Sequence, residues 1–140
     1  MEYIYDSLSC KSKCSFITKT PIFAGVSTLL FIYPAFSVSY GGWTWFIQSI
    51  IAFMSDLWTA GKTSIWHPID NVYVQIAVFI AFKRSCETHG FILSVLYALT
   101  PLLTYRKSMH SIYMKDEVRY NIWHGLWHIF GCIGLILSQP

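Results

Sequence analysis

Five apolar stretches, each broken by a few polar residues and parted by short glycine-containing or charged connections, organise the chain. They cover residues 21–38, 43–60, 67–82, 90–105 and 120–137. Each is longer than a typical strand and none alternates with period two, so each predicts a helix. Pro34 predicts a kink in the first, where a neighbouring helix must satisfy the carbonyl that the proline leaves free. A tight turn is expected at Tyr40, Gly41 and Gly42. The second stretch carries Gln48, Ser49, Ser55 and Asp56 and ends at Gly61 and Lys62. Pro68 suits a first helical position, which makes His67 the expected cap of the third helix and puts Asp70 in its first turn. Lys83 and Arg84 are expected to end that helix. Residues 1–20 read as a polar arm with Lys11, Lys13 and Lys19, and they lack the short apolar core and small-residue cleavage site of a removable leader. Residues 21–140 then form one helical domain.

Composition turns these helices into a membrane bundle. The 140 residues are 54% hydrophobic and only 12% charged, against roughly 25% charged residues in an ordinary soluble domain. Periodicity alone does not separate a buried soluble helix from a thin membrane helix, but five such runs in so short a chain favour the membrane. A span uses about 20 mostly apolar residues, which leaves room for short connections and no second soluble domain. The expected fold is therefore an all-α, multi-pass integral membrane protein with about five transmembrane helices, in contact with membrane lipids. The net charge of +3 is scattered in short groups, which disfavours nucleic acid as a partner. Of the ten Lys and Arg, eight fall on the side of the N-terminal arm and two, Lys83 and Arg84, on the other. The positive-inside rule then puts the N-terminus on the cytoplasmic side and the C-terminus opposite. Trp43 and Trp45 at one boundary, with Trp58, Trp66, Trp123 and Trp127 near the other, are the expected aromatic belts. Cys10, Cys14, Cys86 and Cys132 show no zinc-ribbon spacing, and a reduced or lipidated pair at Cys10 and Cys14 is the plain reading.

Ionisable groups inside spans are expensive and ask for a role. Asp56 ends the second helix, His67 and Asp70 open the third, and His124 and His128 open the fifth. The topology, derived from Lys and Arg alone, brings all five toward one leaflet. His124 and His128 are four residues apart, on one helix face, able to share a metal, and Gly125 leaves room beside them for another helix or a ligand. A zinc ion held by imidazoles and a carboxylate with one open position makes hydroxide available near neutral pH. The Glu that zincin proteases carry between their histidines is missing, so that protease class does not fit. Two readings of the pair stand: a zinc site completed by carboxylates, or histidines that donate to backbone carbonyls while Asp56 pairs with His67 or Lys62. His89 and His110 fall in polar connections and read as solvated, and Gln48 and Gln75 read as bridges between spans.

The segment H-P-I-D-N-V-Y-V at 67–74, followed by W-H-G-L-W-H-I-F-G-C-I-G at 123–134, resembles the CREST superfamily of integral membrane hydrolases. That group includes the alkaline ceramidases, the progestin and adiponectin Q receptors and haemolysin III. The resemblance implies zinc-dependent hydrolysis of a lipid amide, with Asp70 matching the family's third-span Asp and His124 with His128 its final pair. Where the family has a zinc His on the second span this chain has Asp56, and where it has a Ser one turn earlier this chain has Ala52. Ser49 or Ser55 takes that place only with a shifted geometry. With the residues read from the chain itself, the candidate sets are Asp70 and Ser55 for catalysis, and Asp56, His124, His128 and His67 for the metal. The match covers roughly residues 43–137, and the chain has five helices where the family has seven. Two other classes stay open: a non-catalytic accessory subunit of a large respiratory or photosynthetic membrane complex, and a single-His pigment site. A haem held between His124 and His128 is excluded, because two histidines on one face cannot bind it from opposite sides. Tags on the two termini are expected to be reachable from opposite faces of the membrane, and both reacting on one face would mean that one stretch does not span.

Overall fold

The computed structural model describes residues 17–37, 42–62 and 64–138, and all regular structure among them is helical. The polar arm up to residue 16, with Cys10 and Cys14, lies outside the described residues, as do Tyr40 and Gly41 of the expected turn. The first helix, α1, consists of three consecutive pieces: Ile22–Ser27, a 3-10 turn Thr28–Phe31, and Ile32–Ser37. Its break begins ahead of Pro34. The hydroxyls of Ser27 and Thr28 donate back to Ala24 O and Gly25 O, both at 2.7 Å, and such local bonds compete with the helical ladder. Pro34 offers no N–H to the Leu30 carbonyl, which takes a backbone N–H at the end of the 3-10 turn and, in addition, the Cys132 thiol of the last helix at 3.4 Å.

Helix α2 runs over Gly42–Phe53 and continues as a π turn, Met54–Trp58. The amide of Thr59 reaches the carbonyl of Met54 five residues back, at 3.0 Å. Helix α3, Trp66–His89, starts earlier than the proline suggests. Ser64 Oγ accepts the Trp66 N–H at 3.2 Å, so His67 lies inside the helix and does not cap it. Lys83 and Arg84 do not stop α3 either: Lys83 sits on an exposed face, 3.9 Å from Glu87 one turn on. Gly90 alone joins α3 to α4, Phe91–Tyr113, in a left-handed conformation (φ +80°) that glycine adopts freely. Helix α5, Glu117–Leu137, is capped by Asp116, whose carboxylate accepts the Arg119 N–H at 3.0 Å.

The interior is more polar than the exterior. Among the described residues, fourteen polar or charged side chains are buried against nine apolar ones, the reverse of a water-soluble core. Gln48, Ser49, Ser94 and Ser108 are fully enclosed, while Ile76, Phe79, Phe91, Ile92 and Leu96 stand exposed. The small apolar core holds Phe31, Trp45, Ala77, Cys132 and Leu135. Trp45, expected in an aromatic belt, instead stacks on Phe31 at 5.9 Å between ring centres. No helix among the described residues is long and apolar enough to cross a membrane. The five expected helices are present, but none has the length and apolarity of the expected spans, because α1 and α2 consist of short pieces and α3, α4 and α5 carry polar residues along their inner faces and charges at their ends.

Helices α4 and α5 pass close to each other beside a proline. Pro101 cannot supply an N–H to the Tyr97 carbonyl, and α5 passes that oxygen at Gly134, where a Cβ would lie only 2.8 Å from it. Gly134→Val should therefore cost about 1–3 kcal/mol through overpacking. Gly131→Ala, whose Cβ would meet the Phe31 ring at an ordinary 3.7 Å, should leave the thermal midpoint unchanged or raised. Equal midpoints for the two variants would show that this close approach does not need glycine.

Candidate metal centre

The inward Asp and His side chains collect at one end of the bundle, where α2 and α4 finish and α3 and α5 begin. A small cavity of about 70 Å³ there is lined by Ser55 and Asp56 from α2, His67 and Asp70 from α3, Tyr105 from α4 and His124 from α5. His128 lies one turn deeper along α5. The π turn matters to this placement. Successive side chains of an α-helix diverge by about 100°, and a wider turn reduces the divergence, so Ser55 and Asp56 are both buried although adjacent. On α5 a Cβ at Gly125 would strike the Phe23 ring of α1 at 2.4 Å, so the room beside the histidines is taken by α1.

Asp56, His124 and His128 form a group that could hold a metal ion, with one ligand atom from each lying within 4.8 Å of the others. Asp56 Oδ2 is 3.2 Å from His124 Nε2 and 3.4 Å from His128 Nε2, in side chains only 8%, 12% and 4% exposed respectively. A tetrahedral ion with bonds of about 2.0–2.1 Å keeps its ligand atoms about 3.3 Å apart. The hydrogen-bond network also fixes the His128 tautomer. Its Nδ1 is 3.1 Å from Ala24 O and 2.9 Å from Ser27 Oγ. Ser27 spends its own proton on Ala24 O at 2.7 Å, so both neighbours can only accept and Nδ1 carries the hydrogen. His128 Nε2 then presents a lone pair to the Asp56 carboxylate. Two acceptors that close and out of water repel unless a cation stands between them. The cavity lining contains two carboxylates and, among the described residues, no Lys or Arg.

The other predicted residues divide. His67 donates from Nε2 to Lys62 O at 3.1 Å and accepts the Ser55 hydroxyl at Nδ1 at 2.9 Å. Both ring nitrogens are thus spent, and His67 stands beside the trio as a clamp on the α2–α3 connection, without a lone pair for a metal. Ser55 lies at the cavity, tied to that histidine. Ser49 lies elsewhere, donating to Thr28 O at 3.0 Å. Asp70 faces the cavity with one oxygen held by Gln48 Nε2 at 2.7 Å. Ser27, Ser108, Tyr105 and Tyr120 escape the sequence reading. Ser108 Oγ lies 2.9 Å from His124 Nδ1, and the Tyr120 ring stacks on His124 at 4.9 Å. Only the four-residue spacing of Tyr120 and His124, which puts them on one face, offered a signal.

A strap closes the mouth. Ile17 and Pro21 line the cavity, and the Glu117 carboxylate at the start of α5 accepts the N–H groups of Thr18 and Lys19 together with the Thr18 hydroxyl. Across the strap, Gly61 approaches Ile17 O so closely that a Cβ would sit 2.6 Å from it. The comparisons with known proteins found no family model, curated protein or solved structure that matches this chain.

The amides of Lys19 and Thr18 hold the Glu117 carboxyl below the ordinary carboxylate range. A depressed pKa means that the ionised strap contact is fully present above the ordinary Glu range and is lost as pH falls through the lowered value. Amide hydrogen exchange at Thr18 and Lys19 should accordingly be slowed in the wild type near neutral pH, relative to Glu117→Ala, and the two proteins should converge in acid. Equal protection at neutral pH would remove Glu117 from this role.

Proposed function

We propose that this chain is a membrane-embedded helical bundle carrying a zinc site that hydrolyses an amide bond in a lipid. The observation that carries the reading is the pairing of a fixed His128 lone pair with the Asp56 carboxylate at 3.4 Å, beside His124 at 3.2 Å, in a buried site. Separations of 3.2 and 3.4 Å from the Asp56 oxygen to the two imidazoles, and an imidazole-rich donor set with two carboxylates and, among the described residues, no Lys or Arg in the lining, suit zinc better than an oxygen-seeking Mg²⁺ or Ca²⁺. The likeness of residues 67–74 and 123–134 to the CREST hydrolases supports the same chemistry, with Asp56 standing for the family's second-span His.

Two further features support a lipid and a membrane. A second cavity, about 420 Å³ and largely apolar, opens between α3, α4 and α5 and is lined by Phe79, Phe82, Tyr97 and Trp127. The Trp127 ring packs on Tyr105 of the polar cavity at 5.3 Å, so one aromatic pair borders both spaces. An acyl chain suits the larger, apolar space, and the smaller has room for an ion and about two waters. The exterior of α3 and α4 exposes large apolar side chains to whatever surrounds the bundle. Lipid suits that face, and the inward polar groups explain why single-helix hydropathy falls short of a span.

The roles divide by position. Asp56, His124 and His128 would hold the ion, and the chemistry it would supply is polarisation of a carbonyl and a lowered pKa for a bound water. Asp70, pinned at one oxygen by Gln48, keeps its other oxygen for orienting a water or accepting its proton. Ser55 and His67 brace the rim.

The test is metal analysis of protein purified without chelators, together with fatty-acid release from amide-linked lipids in mixed micelles. About one zinc per chain is expected, lost in His124→Ala. Asp70→Asn should weaken zinc affinity roughly tenfold to hundredfold, as expected of a group outside the direct ligands. His89→Ala, at the far end of α3, should change nothing. Wild-type protein without stoichiometric metal would leave the accessory-subunit reading as the better one.

A further inference from the structure

We propose that Ser108 is the positioning residue that lets His124 change from hydrogen-bond donor to Asp56 into metal ligand, while Ser27 denies His128 the same freedom. The inference rests on the zinc reading above and assigns the order in which the site becomes competent.

Three histidines converge near Asp56, and each has Nδ1 2.9 Å from a serine hydroxyl: His67 from Ser55, His124 from Ser108 and His128 from Ser27. What differs is the second partner. Lys62 O takes the His67 Nε2–H at 3.1 Å, which fixes the hydrogen on Nε2. Ala24 O accepts the Ser27 hydroxyl and also faces His128 Nδ1, which fixes the hydrogen on Nδ1. These two rings are locked in opposite tautomers. Ser108 makes no other hydrogen bond among the described residues, and it is 0% exposed. Its hydroxyl is therefore free to turn and to serve as donor or acceptor.

With no cation present, His124 Nε2–H donates to Asp56 Oδ2 at 3.2 Å, and Ser108 donates to Nδ1. When Nε2 gives its lone pair to an ion, the ring stays neutral only if its hydrogen moves to Nδ1. The Nε2 proton is released to water in the cavity that His124 lines, Nδ1 takes one up from the same water, so that no net proton is gained or lost, and the Ser108 hydroxyl rotates to accept the new Nδ1–H. His128 needs no such change, since its Nε2 lone pair is already exposed to the site. Metal binding thus begins at His128 and Asp56 and is completed by His124, and burial leaves no water to replace the Ser108 oxygen.

Two measurements on full-length protein in detergent micelles test this. In zinc titrations, Ser108→Ala should bind roughly tenfold to hundredfold more weakly than wild type, and Ser108→Thr, which keeps the hydroxyl, should restore the affinity. Thermal melts of the zinc-free variants identify any loss that is merely misfolding, and the threonine variant carries the inference if the alanine variant does not fold. In protein labelled with ¹⁵N-histidine, the His124 signals should switch from Nε2-protonated to Nδ1-protonated when zinc is added, with His128 Nδ1-protonated in both states. Wild-type zinc affinity in a folded Ser108→Ala variant, weak binding by Ser108→Thr, or an unchanged His124 tautomer overturns the inference and leaves the zinc site standing. A wild-type protein that binds no zinc overturns both.

Discussion

A carboxylate withdrawn from water loses several kcal/mol of solvation that its surroundings must return, and Asp56 sits in a side-chain environment only 8% exposed. Much of the bundle's architecture answers this one group. The π turn of α2 carries it inward, and the broken first helix holds Ser27 and Ala24 against His128. Phe23 fills the notch at Gly125 so that α5 can bring its histidines close. The partners are imidazoles, whose charge depends on what they bind, and a guanidinium or ammonium in the same place would have neutralised Asp56 permanently. A site built on imidazoles stays receptive to a cation.

The same logic governs the distribution of polarity. Serine and threonine hydroxyls satisfy backbone carbonyls along the inner faces, as Ser94 does with Gly90 O at 2.8 Å and Thr104 with Pro101 O at 2.8 Å. Each small hydroxyl allows the helices to sit close while leaving no unpaired donor. Apolar bulk is displaced outward, and Gln48 shows the limit of the arrangement: its Nε2 holds Asp70, but among the described residues its buried Oε1 has no hydrogen-bond partner. An unsatisfied buried acceptor costs about 1–3 kcal/mol, an expense accepted at a position that orients a carboxylate in the cavity.

How much of this could be read in the sequence follows from the range of the interactions involved. The five helices were legible because apolar stretches of that length leave little else, and the His124–His128 pair because helical spacing is local. The convergence of Asp56 and Asp70 with that pair followed from a charge count, and the cavity lining holds Asp56, Asp70 and His124, with His128 one turn deeper against Asp56. Helix ends were less legible: Lys83 and Arg84 are helical residues on an exposed face, and a charge marks the surface as readily as it marks a terminus. The role of His67 was hidden because its competitor for a lone pair is Ser55, which depends on a π turn with no local signature. Trp45 turned inward for a similar reason, since its partner Phe31 lies on another helix.

The contacts that complete the site are distant along the chain. Ser27 and His128 are 101 positions apart, Ala24 and His128 104, and Asp56 and His124 68. Long loops must close before such contacts give any return, which makes them late events in folding. A chain still emerging from the ribosome carries Asp56 and the three pieces of α1 long before α5 exists. Until the last helix arrives, the buried carboxylate has no imidazole from α5, the notch for Phe23 is missing, and the Leu30 carbonyl lacks its thiol. Site assembly thus waits for α5, so a truncated product lacking that helix carries Asp56 without either of the imidazoles that face it.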